Sequence, residues 1–117
     1  MKILVAEDEI ILQKTVSLKL KKDGHELFVT DNGLEAYKLF EQHLPDLIIT
    51  DIMMPYSSGL ELISKVKETG SATKIIVLSS MGQENVVLKA FNLGADDFIT
   101  KPFSPNELSI RVKRLLL

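Results

Sequence analysis

A chain of 117 residues makes one domain, long enough to bury roughly two-thirds of the surface its unfolded form exposes. With 45% hydrophobic and 26% charged residues it has a globular composition, and a net charge of −2 excludes the broad basic footprint of a nucleic-acid-binding domain. The lack of cysteine removes disulfides and thiolate metal sites and suits a reducing, cytoplasmic setting, while no apolar run approaches the ~20 residues of a membrane span.

In chain order, short apolar runs alternate with segments of helical period. After the opening MKILVAEDE, which does not read as a signal peptide, residues 3–6 are predicted as a strand and 10–22 as a helix, with Leu12, Val16 and Leu20 on one face. Strands follow at 27–30, 47–50, 75–78 and 98–100, and helices at 33–42, 59–68, 84–93 and 106–117. Local chemistry supports these limits. Ser58 with Glu61, and Ser104 with Glu107, have the spacing of capping boxes, the second with Pro105 at the first helical position. Gly24 and Gly94 fall just past helix ends, where a left-handed residue is needed.

Five strand–helix units in strict alternation imply a single doubly wound α/β domain, a five-stranded parallel sheet with helices on both faces. The runs ILVA, LIIT and IIVL are apolar without alternation, as strands covered on both faces should be. The final helical pattern runs out at Leu117 with no cap. That is what a truncated chain would show, or an element that continues into something else.

In such sheets ligands bind outside the carboxyl ends of the strands, so the residues at those ends matter most. The first strand runs into Glu7 and Asp8, the third ends on Asp51, the fourth on Ser79 and Ser80, and the fifth delivers Thr100, Lys101 and Pro102. Carboxylates converging in a cleft repel one another unless a cation sits among them. Oxygen donors without cysteine or a well-placed histidine favour a hard cation, and few carboxylates with room for water suit Mg²⁺ better than Ca²⁺. With Lys101 added, the set makes a pocket for an anion rich in oxygens, a phosphoryl group above all, and a carboxylate can serve as its acceptor.

Glu7-Asp8, Asp51 with Met54-Pro55 and Gly59, Ser79, and Lys101-Pro102-Phe103, in this order and spacing, resemble the receiver domain of bacterial two-component response regulators across essentially the whole chain. The resemblance implies a flavodoxin-like fold with strand order 2-1-3-4-5 over residues 1–117. It makes Asp51 the phosphoacceptor, served by the phosphohistidine of a sensor histidine kinase or by a phosphotransfer protein. Asp8, Asp51 and the Met53 carbonyl would ligate Mg²⁺, or Mn²⁺ in its place, with Glu7 acting through water. Lys101 would pair with Asp51, Ser79 would donate to the phosphoryl group, Phe98 matches the switch aromatic, and the Lys101–Pro102 bond should be cis.

The domain would catalyse its own modification without being a conventional enzyme. It would act in the cytoplasm on a partner or output domain, controlling transcription, or alternatively serve as an adaptor or relay without DNA-binding output. The stretch from Gly94 to Leu108 followed by Arg111 resembles the winged-helix transcription-factor subclass. Lys89, Asp96, Asp97, Glu107 and Arg111 would there line a homodimer face used on phosphorylation. Nucleic-acid or membrane binding by this domain is not expected.

Three positions depart from the commonest family pattern: Glu7 for aspartate, Ser79 for threonine, and Tyr56-Ser57-Ser58 where a shorter, glycine-rich loop is frequent. Met53, Met54 and Met81 read as gap-filling apolar residues, and His25 and His43 as surface residues at helix-to-strand connections.

Overall fold

The apolar runs pair along their length and place the sheet at the centre of the molecule. A computed structural model describes residues 1–54 and 58–117; Pro55, Tyr56 and Ser57, which figured in the sequence reading, lie outside the described residues. The elements are β1 (Lys2–Ala6), α1 (Ile10–Lys22), β2 (Glu26–Thr30), α2 (Gly33–His43), β3 (Leu47–Asp51), α3 (Gly59–Glu68), β4 (Lys74–Ser79), α4 (Glu84–Leu93), β5 (Asp97–Thr100) and α5 (Pro105–Leu116). All strand pairs are parallel and the order is β2-β1-β3-β4-β5, as the resemblance implied.

Successive side chains of a strand point to opposite faces, and here that alternation sorts the interior into two layers. Leu4, Ala6, Ile48, Ile75 and Val77 meet Ala36 and Phe40 of α2, Leu62, Ile63 and Val66 of α3, and Val87 and Ala90 of α4. Ile3, Val5, Leu47, Ile49, Ile76 and Leu78 meet Val16 and Leu20 of α1 and Leu108 and Val112 of α5. The apolar residues of β1, β3 and β4 are almost fully withdrawn from water, which explains why their sequences do not alternate. At the edges β5 does alternate, with Asp97 and Ile99 buried and Phe98 and Thr100 exposed.

Four strands begin one residue earlier than predicted, at Lys2, Glu26, Lys74 and Asp97. Pairing is a property of the backbone, and the pairs Lys2 with Glu26 and Leu47 with Lys74 continue the ladder beyond the apolar run. β3 and β4 also end one residue later than predicted, so Asp51 and Ser79 belong to the ladder, opposite Leu78 and Thr100. α2 runs one residue further, to His43, and α5 spans Pro105–Leu116 instead of 106–117.

The caps form as expected: Ser58 accepts the Glu61 N–H at 3.3 Å and Ser104 the Glu107 N–H at 3.1 Å. Gly94 takes the left-handed cap of α4 at φ 119°.

Candidate functional site

β1 and β3 end side by side, β4 stands between β3 and β5, and the exits of β1, β3 and β5 deliver the site. Glu7, Asp8 and Asp51 can each bring one carboxylate oxygen within 4.8 Å of the others, enough for one small cation to touch all three. The group suits a hard divalent metal in its donors as well as its spacing, since every candidate ligand atom is an oxygen. Asp8 is exposed, whereas Glu7 is fully buried and Asp51 nearly so.

Lys101 enters from the end of β5, its ammonium 2.8 Å from Glu7 Oε1 and 3.1 Å from Asp51 Oδ2. Burial pushes the Glu7 carboxyl up to about 7. The Lys101 ammonium and the Glu9 N–H, which donates to Oε2 at 3.0 Å, pull the other way, and the Asp51 charge adds to the rise. Burial alone would lower the Lys101 ammonium, but its contacts with Glu7 and Asp51 outweigh that effect and raise it. Asp51 is held on a second side by the Met53 N–H, 3.4 Å from Oδ1. The Lys101–Pro102 bond is cis.

Gly59 shows why the motif carries glycine there. A Cβ at this position would run into the Asp51 carbonyl oxygen and lie 2.9 Å from the Ile52 Cα, while the Gly59 N–H donates to the Ile52 carbonyl at 2.8 Å. Helix α3 therefore packs by its backbone directly onto Asp51. Gln13 went unassigned from sequence. Its amide donates to the Glu7 carbonyl at 2.9 Å and to the Thr30 carbonyl at 3.2 Å, fixing the strand exit from α1. A polar residue one turn inside an amphipathic helix was the only available signal.

Ser79 is buried at the end of β4, and the Lys101 N–H donates to its carbonyl at 2.7 Å. It borders a groove of 450 Å³ between α4 and β5, shared with Val87, Leu88, Phe91, Phe98 and Thr100. Phe98 lies at the surface, edge-on to Phe91 with ring centres 5.8 Å apart.

Several expectations need correction. Met53 and Met81 are 57% and 83% exposed and fill no gap; each sits on a loop just past a strand. Met54 alone packs against the core. Both histidines sit at helix-to-strand connections as expected, but each is only partly exposed. His43 is half-buried, stacked on Phe28 at 3.9 Å, and His25 is half-buried with Nδ1 enclosed and no hydrogen-bond partner among the described residues.

Within the expected dimer face, the Asp97 carboxylate is buried and gripped by Arg111 at 3.0 Å and Arg114 at 3.2 Å, and Arg111 also lies 3.5 Å from Glu107. Asp96 faces Lys67 of α3 at 3.8 Å, and Lys89 is exposed. The charges are where the sequence placed them, but most are already paired within the chain.

Residues 3–113 match the family described as response regulator receiver domain. The phosphate regulon transcriptional regulatory protein of Pseudomonas aeruginosa is 37% identical over 116 residues, covering 97% of this chain and 51% of that protein. The alkaline phosphatase synthesis transcriptional regulatory protein of Bacillus subtilis is 36% identical over 115 residues, covering 98% and 48%. The receiver domain of a Francisella response regulator superposes with a TM-score of 0.89 at 34% identity, covering 97% of this chain and 94% of that one. The chain thus spans about half the length of the curated relatives it matches.

Proposed function

Since the chain belongs to the response regulator receiver domain family, we propose that it is a phosphorylation-dependent switch of two-component signalling, with Asp51 as acceptor. The observation that carries this is the Lys101 ammonium set between Glu7 and Asp51, beside a carboxylate cluster able to hold a cation.

An Asp51 oxygen forms a bond to phosphorus as the phosphorus–nitrogen bond of a phosphohistidine breaks, its electron pair leaving with the imidazole nitrogen. Asp51 stands at the end of a paired strand with Lys101 and the Met53 N–H on its oxygens, so its orientation is set before the donor arrives. Asp8 and Asp51, with the Met53 carbonyl and with Glu7 close by, would hold Mg²⁺, or Mn²⁺ in its place. The bound ion supplies charge neutralisation as two anions approach and as the equatorial oxygens gain charge. Lys101 then turns from Asp51 toward the phosphoryl oxygens. The histidine kinase or a phosphotransfer protein supplies the donor in the cytoplasm, and the domain provides the acceptor and its surroundings.

The product adds roughly −1.5 to −2 charge units at the end of β3. Ser79 donates its hydroxyl to this new acceptor, and Phe98 moves from the surface into the groove beside it, repacking α4 and β5. That is a shift between two packings, driven by their different affinity for the phosphate. The altered face controls an output domain, as the names and double length of the curated transcriptional regulators suggest, and the resemblance of residues 94–108 and Arg111 points to the winged-helix class for it. Lys89, Asp96, Asp97, Glu107 and Arg111 would form its dimer contacts. Because Asp97 is already held by two arginines, such pairs exchange or share partners and set register more than affinity, each worth ~0–1 kcal/mol.

The test is intact-mass measurement after incubation with acetyl phosphate. An adduct of about 80 Da, the mass of one phosphoryl group on a carboxylate, is expected with Mg²⁺ and not after chelation. No adduct on the wild type, or an equal adduct on Asp51→Asn, overturns the assignment.

A further inference from the structure

Asp8 is the one exposed carboxylate of the cluster, and no hydrogen bond or ion pair holds its side chain among the described residues. What fixes it is the backbone on either side, and both sides run to Gln13. The Gln13 side-chain amide donates to the carbonyl of Glu7, the residue before Asp8, at 2.9 Å. The Gln13 backbone N–H donates to the carbonyl of Glu9, the residue after it, at 2.9 Å. The same side-chain amide reaches the Thr30 carbonyl at 3.2 Å, and that carbonyl also accepts the Glu7 N–H at 3.0 Å. The β1–β2 ladder ends on the pair Ala6 with Thr30, so these bonds carry the join between the strands one residue past the end of β1.

We propose that Gln13 is a positioning residue for the cation: it holds the stretch of backbone that carries Asp8, so that all three carboxylates stand together before the ion arrives. The inference rests on the reading of Glu7, Asp8 and Asp51 as the group that holds the metal.

The physical reason lies in how differently the three carboxylates are supported. Glu7 is fully buried, and Asp51 is the last residue of a paired strand. Asp8 stands in the connection between β1 and α1, where neither a ladder nor a helix fixes it. Two other carboxylates repel it there, and without a cation that repulsion favours swinging it out into water. Hydrogen bonds to the residues on both sides oppose the swing. A ligand already in place loses less freedom when the ion binds, which favours binding. Glutamine suits the task because its amide has two N–H donors, one for each carbonyl, and no charge to compete with the ion or its ligands. Methionine at this position would match its length without a donor and leave the Glu7 carbonyl without the 2.9 Å bond.

The experiment uses Gln13→Met in the whole chain, with Val112→Ala, a core substitution on α5, as a control for lowered stability alone. Three quantities are read: the Mg²⁺ dissociation constant by calorimetry, amide exchange in the metal-free protein, and the rate of phosphorylation by acetyl phosphate against Mg²⁺ concentration. For Gln13→Met the dissociation constant is expected to rise on the order of tenfold, the lower end of the loss on removing groups that orient a metal's ligands. The Glu9 N–H, part of the peptide that joins Asp8 to Glu9, should exchange on the order of tenfold faster, the ratio for one hydrogen bond. The Val5 N–H, inside β1, should keep its rate and so exclude global opening. The Mg²⁺ needed for half-maximal phosphorylation should rise with the dissociation constant. The rate at saturating Mg²⁺ should stay that of the wild type, because the bound ion then holds its own ligands.

Wild-type Mg²⁺ affinity in Gln13→Met, or equal slowing at every Mg²⁺ concentration, overturns the proposal. So does an equal loss of affinity in Val112→Ala, since any weakened fold would then do the same. Gln13→Leu gives the same readings if Gln13→Met does not fold. A wild type that binds no Mg²⁺ overturns this proposal together with the metal reading. Mg²⁺ binding without a phosphoryl adduct on the wild type overturns the acceptor assignment alone, and the dissociation constants and exchange rates then decide the role of Gln13.

Discussion

The two ends of the sheet carry the same residue types and put them to opposite uses. Where strands begin, acidic side chains close the backbone. Asp46 accepts the Lys2 N–H at 2.8 Å, and Asp96 accepts the Ile75 N–H at 2.8 Å with Lys67 at 3.8 Å. There, too, the Thr73 hydroxyl donates to the Pro45 carbonyl at 2.7 Å. Where strands end, Glu7, Asp8 and Asp51 crowd together around one lysine. A carboxylate that accepts from a backbone N–H stabilises the fold, whereas one that faces another carboxylate strains it unless a cation sits between them. The proposed function is concentrated at the end where the fold gains least from its charges.

That contrast can be broken at several points. The largest effect is expected from Asp51→Asn. It should abolish the phosphoryl adduct by intact mass while leaving the metal-free protein at least as stable to urea, because a repulsion with Glu7 goes with it. A fall in stability would show the exit end to be structural after all.

Next comes Asp96→Ala, expected to lower unfolding stability by about 1–3 kcal/mol by orphaning the Ile75 N–H. Its urea midpoint should move and its phosphorylation rate should not.

The two ends should also respond oppositely to pH. Glu7 titrates near 7 in the fold against 4.5 when unfolded, so its stabilising contribution is complete below 4.5 and is lost as pH rises through 7. Glu7→Gln should flatten that slope, on the order of 1–3 kcal/mol between pH 5 and 8 in metal-free urea titrations.

His25, just ahead of β2, behaves the other way. Burial first, then the N-terminal ammonium, lowers it below 6.5. The unfolded chain therefore binds the extra proton, and stability falls as pH drops below 6.5. His25→Gln should remove this dependence, the smallest effect of the set, measured by melting between pH 5 and 7.

Sequence alone showed the fold clearly because the strands are uniformly apolar and the helices periodic, and those patterns follow from burial. It showed which strand exits meet for a related reason: the topology of a doubly wound sheet leaves little choice. It did not show the Glu7–Lys101 contact, which turns on the reach of one methylene and the path of the chain through Lys101 and Pro102. Nor did it show that Arg111 and Arg114 turn inward onto Asp97, since charge spacing on a helix does not say which partner lies opposite. The exposed Met53 and Met81 were misread because hydrophobicity was taken as burial, an inference that fails on loops.

The sheet also acts as a wall. The two apolar layers have no member in common: one holds the helices α2, α3 and α4, the other α1 and α5. Substitutions on opposite sides of that wall should add independently. Compensating changes should then accumulate within a layer, as when a lost methylene on Val16 is refilled from Leu108 or Val112. The core beneath α1 and α5 can therefore drift along a lineage without disturbing the packing beneath α2, α3 and α4, so the two layers can be inherited and remodelled separately on one small scaffold.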